Sequence, residues 1–381
     1  MTTRTLSRPD LRLTKRHFNA LDLTRLLAAV AVLFWHYQHF FVPPGSVEHI
    51  ERSAVEPMHH ALRLFYDHGD LAVQYFWAVS GFVFAHVYLA DEAAQGRFWL
   101  ARFARLWPLH LLTLVLVALL QSLYFAHNGQ YFIYQFNDLY HFALAVPLAH
   151  FWGFQQNQSF NGPSWSLSTE ILAYAAFRVS LPQLRRTPIA LAVIVAAAMA
   201  TIVLRGVEHD AVFTCIGYFF GGVAAYALVL RTGYGPARLG IASAILVGLA
   251  SRAHHSMALQ PATVPLAIFA VLFAAVAVDR ADRRDTLRFG KRLGDASYGI
   301  YLWHFPIQLV LVLTLSPLVA VPTIARQPLF LGFFVGLACL AGFASQHWLE
   351  RPAQRAILRL GARGWRSRPE TESDGEATAK A

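Results

Sequence analysis

Arg25 and His36 lie 11 residues apart in a run of sequence that is otherwise almost wholly apolar. Eleven residues of α-helix turn through about 1100°, which leaves the two side chains roughly 20° off a shared face and about 16 Å apart along the axis. A guanidinium holds anions, and an imidazole moves a proton near neutral pH or accepts an acyl group itself. Both side chains are expected to open on one protein-lined channel, with the cation near one mouth and the imidazole deeper. Asp22, three residues before Arg25, can pair with it. The competing reading is a structural Asp22–Arg25 pair beside a packing histidine.

Three further polar groups interrupt apolar stretches. Arg102 and Arg105, in Arg102-Phe-Ala-Arg105-Leu-Trp-Pro108, stand i, i+3 on one helix face. Two such arginines can fork around phosphate oxygens or simply anchor the helix at the membrane boundary. In Trp165-Ser166-Leu-Ser168-Thr-Glu170, Ser166 and Glu170 share a face at i, i+4. Glu170 falls roughly 9 Å inside its helix, where a carboxylate needs a partner or a wet cavity. Ser297, Tyr301 and His304 form one stripe at i, i+4, i+7. Ser80 sits in Trp77-Ala-Val-Ser80-Gly81-Phe82 and reads as a close-packing or pocket residue, not a nucleophile. There is no H-E-x-x-H, no G-x-S-x-G and no Walker loop, so neither a metal site nor a permanently bound cofactor is expected. Cys215 and Cys339 lie in apolar runs and read as small buried hydrophobes.

Such groups need elements to hold them, and the composition says where those elements sit. Apolar residues make up 56% of the 381 residues and charged residues 14%, against about 25% charged in a soluble domain. The bilayer must therefore act as part of the solvent. A net charge of +10 could suggest nucleic acid, but the cations fall between apolar runs, as in the inner loops of membrane proteins.

We read an all-α, polytopic chain with ten spans, near 20–42, 71–90, 106–126, 164–181, 187–204, 211–230, 237–251, 262–279, 297–316 and 327–348. The stretch 138–154 holds His141, Pro147 and His150 and reads as an interfacial or re-entrant segment. With ten spans and the N-terminus inside, 25 of the 32 Lys and Arg residues lie on the cytoplasmic side and 5 on the other, Arg25 and Arg178 being within spans. Making 138–154 a span would turn Arg280–Arg292 and the C-terminal tail outward, against the positive-inside rule. The expected organisation is a cytoplasmic tail over 1–19, one membrane domain over 20–352, and a basic then disordered cytoplasmic tail over 353–381.

Taken in order, these motifs resemble the acyltransferase-3 family of membrane acyltransferases. The likeness is carried by Leu21-Asp22-x-x-Arg25 with His36, Phe76-Trp77-x-x-Ser80-Gly81-Phe82, Arg102-x-x-Arg105-x-x-Pro108, Trp165-Ser166-Leu-Ser168-x-Glu170, Ser297-Tyr298-x-x-Tyr301-Leu-Trp303-His304-x-Pro306 and Glu350-Arg351-Pro352. It departs at Ile171, where a second carboxylate is frequent, and at Leu23, where glycine is common. The resemblance implies a stand-alone enzyme of a bacterial inner membrane with ten helices and both termini cytoplasmic. It also implies that Arg25 and His36 are essential and that Arg102 and Arg105 help bind an acyl-CoA donor.

The combined expectation is acyl transfer, acetyl by default, from cytoplasmic acyl-CoA to a hydroxyl of a cell-surface or lipid-linked glycan. His36, Arg25 and Glu170 are the catalytic candidates, and His36 acts either as general base or as acyl acceptor. Arg102, Arg105, Tyr301 and His304 are assigned to the donor path, and Trp165, Ser166 and Ser80 to the acceptor or pocket. The expected partners are membrane lipid, acyl-CoA and glycan, with no nucleic acid. A lipid-linked glycan transporter is the alternative; it would call for an inverted repeat, and none is visible. A non-catalytic scaffold would leave Arg25, His36 and Glu170 buried without purpose.

Overall fold

The computed structural model describes residues 17–43, 50–89, 96–204 and 211–366. Residues 1–16 of the expected N-terminal tail, 367–381 of the expected C-terminal tail, and Arg205 lie outside the described residues. Every regular element among the described residues is helical. In chain order the main helices are α1 Asn19–His36, α2 His59–His68, α3 Ala72–Tyr88, α4 Phe98–Asn128, α5 Leu139–Ala145, α6 Trp165–Arg186 and α7 Pro188–Leu204. They continue with α8 Ala211–Thr232, α9 Pro236–His254, α10 Thr263–Ala281, α11 Gly290–Leu315, α12 Pro328–Ser345 and α13 Arg351–Arg366.

Among the described residues, seven helical stretches are long and apolar enough to cross a membrane: Asn19–Phe40, His59–Tyr88, Phe98–Asn128, Ala211–Thr232, Gln260–Ala281, Gly290–Leu315 and Pro328–Gly361. Helices also form at the other three expected spans, but each falls short on its own. α6 spends its first turns on Ser166, Ser168, Thr169 and Glu170. α7 is apolar but has only 17 residues. α9 carries Arg238, Ser243, Ser251 and Arg252 within 19 residues. The 138–154 stretch holds only α5, whose N-cap Asp138 accepts from the His141 backbone N–H. At seven residues α5 is about 10 Å long, too short to cross. α13 carries the chain as helix to Arg366, through the start of the segment expected to be a tail.

The axis of the bundle is α11, which is lined by buried residues along nearly its whole length. It lies against α1 because Gly290 and Gly294 stand one turn apart on the contact face. A Cβ at Gly290 would collide with the Asn19 carbonyl, and one at Gly294 with Asp22. Small residues at this spacing let helix backbones approach where lipid offers no hydrophobic drive between helices. Gly81 and Gly222 do the same for α3 and α8, meeting Phe219 and Ala78 respectively.

The start of α1 is fixed from another helix. Buried Asp279, near the end of α10, accepts from the Ala20 and Leu21 backbone N–H groups at 3.0 and 3.1 Å. These are first-turn donors with no partner inside their own helix, and a carboxylate there also complements the helix dipole.

Candidate active site

α1, α3, α4, α6 and α11 enclose a cavity of about 360 Å³. The motif residues Arg25, Ser80, Arg102, Arg105, Ser166 and Glu170 all line it, together with Tyr301. Arg351 and Asp295 add charge to one wall, while Val73, Phe76, Trp77 and Leu167 make the rest apolar. A larger recess of about 830 Å³ opens around His17, Arg280, Arg283 and Lys291. It holds none of the motif residues, so the smaller cavity is where the chemistry-bearing groups converge.

The cavity's cations are not equivalent. Arg25 donates to Asp22 Oδ1 at 3.0 Å. Arg105 donates to Glu350 Oε2 at 2.8 Å and to the Asp295 carbonyl at 3.1 Å, with its guanidinium over the Tyr298 ring. Glu350 is aimed at Arg105 by a π-helical stretch, Gln346–Glu350, that offsets the register between α12 and α13. Arg351 binds Asp295 Oδ2 at 3.1 Å. Arg102 has no ion pair among the described residues. Its guanidinium lies 4.8 Å from the centre of the Phe84 ring, and its buried Nε has no hydrogen-bond partner. The i, i+3 pair is thus one committed arginine and one available one, instead of a symmetric fork.

Glu170 is buried, with one carboxyl oxygen lacking a partner. The Ser80 and Tyr174 hydroxyls face it, and the Arg102 and Arg25 charges act on it from further off. Trp165 packs edge-to-face on Trp77, whose indole N–H donates to the Ser166 carbonyl at 3.3 Å. The Ser166 and Tyr301 hydroxyls are 2.7 Å apart, and Tyr301 also donates to the Pro163 carbonyl.

His36 does not line this cavity, so the expectation that Arg25 and His36 open on one space is corrected. On α1 the cavity meets Arg25 alone, and His36 stands about 16 Å further along the helix. His304 is likewise absent from the lining, although it was assigned to the donor path; Tyr301 is present. The two histidines meet each other instead. Their rings are 4.9 Å apart, and His39 lies 5.1 Å beyond His36. The Tyr301 ring is 5.9 Å from that of His304, so Tyr301 stands between the cavity and the histidines.

Sequence reasoning missed the supports of this cluster. Buried Gln308 donates to the His36 carbonyl at 2.8 Å and accepts from His39 Nδ1 at 3.1 Å. It stands one turn beyond His304 on α11, so the polar stripe at 297, 301 and 304 could have been extended to it. Arg52 donates to the Phe34 and Trp35 carbonyls at 3.3 and 3.2 Å, closing the last turn of α1. No spacing rule joins Arg52 to α1. No group of three or more His, Cys, Asp and Glu side chains suited to a metal occurs among the described residues.

The chain is similar to Acyltransferase MdmB of Streptomyces mycarofaciens, with 28% identity over 291 residues, 63% of this chain and 68% of that protein. No solved structure matches. A family model described as an acyltransferase domain matches residues 18–344, which contain Arg25, His36, Arg102, Glu170 and His304. The chain therefore belongs to the acyltransferase-3 family.

Proposed function

We propose that this protein moves an acyl group, acetyl by default, from cytoplasmic acyl-CoA to a hydroxyl of a cell-surface or lipid-linked glycan. In this reading ten helices cross a bacterial inner membrane with both termini cytoplasmic. The three helices that fall short singly, α6, α7 and α9, cross by packing against the other seven. The arginine-lined cavity then opens toward the cytoplasm, and the histidines lie toward the outer side.

The observation that carries the reading is the state of Arg102. A guanidinium without an ion pair, in a cavity with a charged mouth and apolar walls, is arranged for a substrate with an anionic head and an apolar arm. Coenzyme A has both. Arg105, held by Glu350, sets the field at the mouth, and Arg25 extends it inward. Apolar walls exclude water from the thioester and limit hydrolysis.

The base follows from hydrogen bonding. His36 Nδ1 lies 3.0 Å from the Val32 carbonyl, which can only accept, so Nδ1 carries the proton and Nε2 presents a lone pair. That lone pair takes the proton of the acceptor hydroxyl as its oxygen attacks the thioester carbon. The test uses membranes carrying the protein and radiolabelled acetyl-CoA. Label should enter glycan with wild type and not with His36→Ala. Equal labelling would remove His36 from the mechanism, and absence of thiol release by wild type would remove acyl-CoA as donor.

A further inference from the structure

We propose that His304 is a second proton-carrying residue, forming with His36 a two-imidazole relay that returns the acceptor's proton to the departing thiolate. The proposal rests on the acyl-CoA reading above and adds to it a route and a residue.

Both imidazoles are held in the same tautomer by their own helices. His36 Nδ1 donates to the Val32 carbonyl, and His304 Nδ1 donates to the Tyr301 carbonyl. Each therefore offers Nε2 as an acceptor. His304 Nε2 is fully buried and has no donor among the described residues. A buried acceptor without a donor is unfavourable and implies a donor that visits. The nearest group able to bring one is His36 once it has taken a proton, its ring being 4.9 Å away.

The order of the groups gives the relay a direction. His36 is half-buried, and His304 is wholly enclosed between His36 and Tyr301, which lines the cavity. An acceptor hydroxyl arriving from the far end meets His36 first, whereas the thioester lies on the Tyr301 side. The hydroxyl proton passes to His36 Nε2 as the oxygen–carbon bond forms. The carbon–sulfur bond breaks, His304 Nε2 receives the proton from His36, and the Tyr301 hydroxyl, which faces the cavity, gives its own proton to the thiolate and takes the one from His304, so that the free thiol leaves. One proton leaves the alcohol and one reaches sulfur, so nothing else is consumed. Two neighbouring imidazolium ions repel, so the pair is suited to carrying that single proton.

Gln308 keeps the pair from drifting. Its amide N–H is committed to the His36 carbonyl, so its oxygen must face His39 Nδ1. The groups that face the relay are therefore His39 and Arg52 beside His36, and His39 and Tyr301 beside His304.

The test is His304→Asn. Its amide nitrogen takes the place of Nδ1 and keeps the donor to the Tyr301 carbonyl, while the Nε2 acceptor is removed. In membranes supplied with acetyl-CoA, thiol release coupled to glycan labelling should fall about 100-fold. Competition by free CoA should be unchanged, and the acid limb of the rate–pH profile should move. The double variant with His36→Ala should be no slower than His36→Ala alone, because the two residues act in one step. A His304→Asn rate within about twofold of wild type, with His36→Ala inactive, overturns the relay and leaves the acyl-CoA reading standing. An active His36→Ala overturns both. Should the variant fail to fold, nitrogen-15 NMR of the wild-type imidazoles decides. Nε2 must be unprotonated on both rings at rest, and a proton on His304 Nε2 overturns the proposal.

Discussion

Arg105 and His36 stand at opposite ends of the same polar seam and are held in different ways. Around Arg105 charge answers charge: Glu350 and Asp295 engage Arg105 and Arg351 within 3.1 Å. Around His36 the fixed points are backbone carbonyls, a glutamine amide and neighbouring rings, and no carboxylate is paired with His36, His39 or His304 among the described residues. The first arrangement fixes a field, which suits holding an anion. The second fixes tautomers without fixing charge, which suits moving a proton. A carboxylate beside His36 would trap its proton after transfer.

The largest effect that could break this contrast is at His36. His36→Ala should lower acyl transfer about 1000-fold while leaving CoA binding intact, as a general base contributes to rate and not to donor affinity. Transfer kinetics together with CoA competition in membranes would check it. Next is Arg102→Ala, expected to raise the acyl-CoA concentration for half-maximal rate roughly 30-fold, with Arg102→Lys intermediate, because a point charge replaces a two-pronged donor. An equal fall in maximal rate would instead place Arg102 at the reacting atoms.

Glu350→Gln tests the charged end as structure. It leaves Arg105 short of its anion in a largely enclosed site, so stability should fall by about 2 kcal/mol, read as a lower melting temperature in detergent. The smallest effect is at Glu56, which lies outside the spanning helices. Burial pushes its carboxyl up to about 7, against the pull of Arg52. Its folded form therefore favours the proton. The stabilisation is complete below the ordinary value of 4.5 and is lost as pH rises through about 7. Between about pH 5 and about pH 8 the melting temperature should drop by a few degrees, and Glu56→Gln should flatten that slope.

Much of the helical framework was legible because hydrophobicity along a chain reports burial locally. All ten expected spans coincide with helices, and Arg25, Arg102, Arg105, Ser166 and Glu170 converge on one cavity. Pairings across the bundle were not legible. Arg105 and Glu350 are 245 positions apart, and His36 meets His304 across the α1–α11 contact, which is close at Gly290 and Gly294 and tied again by Gln308. The cavity's extent along α1 was also hidden, since periodicity tells which face a residue shares but not where the space beside that face ends.

The tethering of α1 has a mechanical corollary. Asp279 grips its first turn, Arg52 grips its last, and Gln308 holds the His36 carbonyl. A rod clamped at both ends cannot pivot to open a passage. Any opening of the bundle falls to parts of the molecule that are free to yield, and the span between guanidinium and imidazole is set by one continuous helix, like the gap of a fixed caliper.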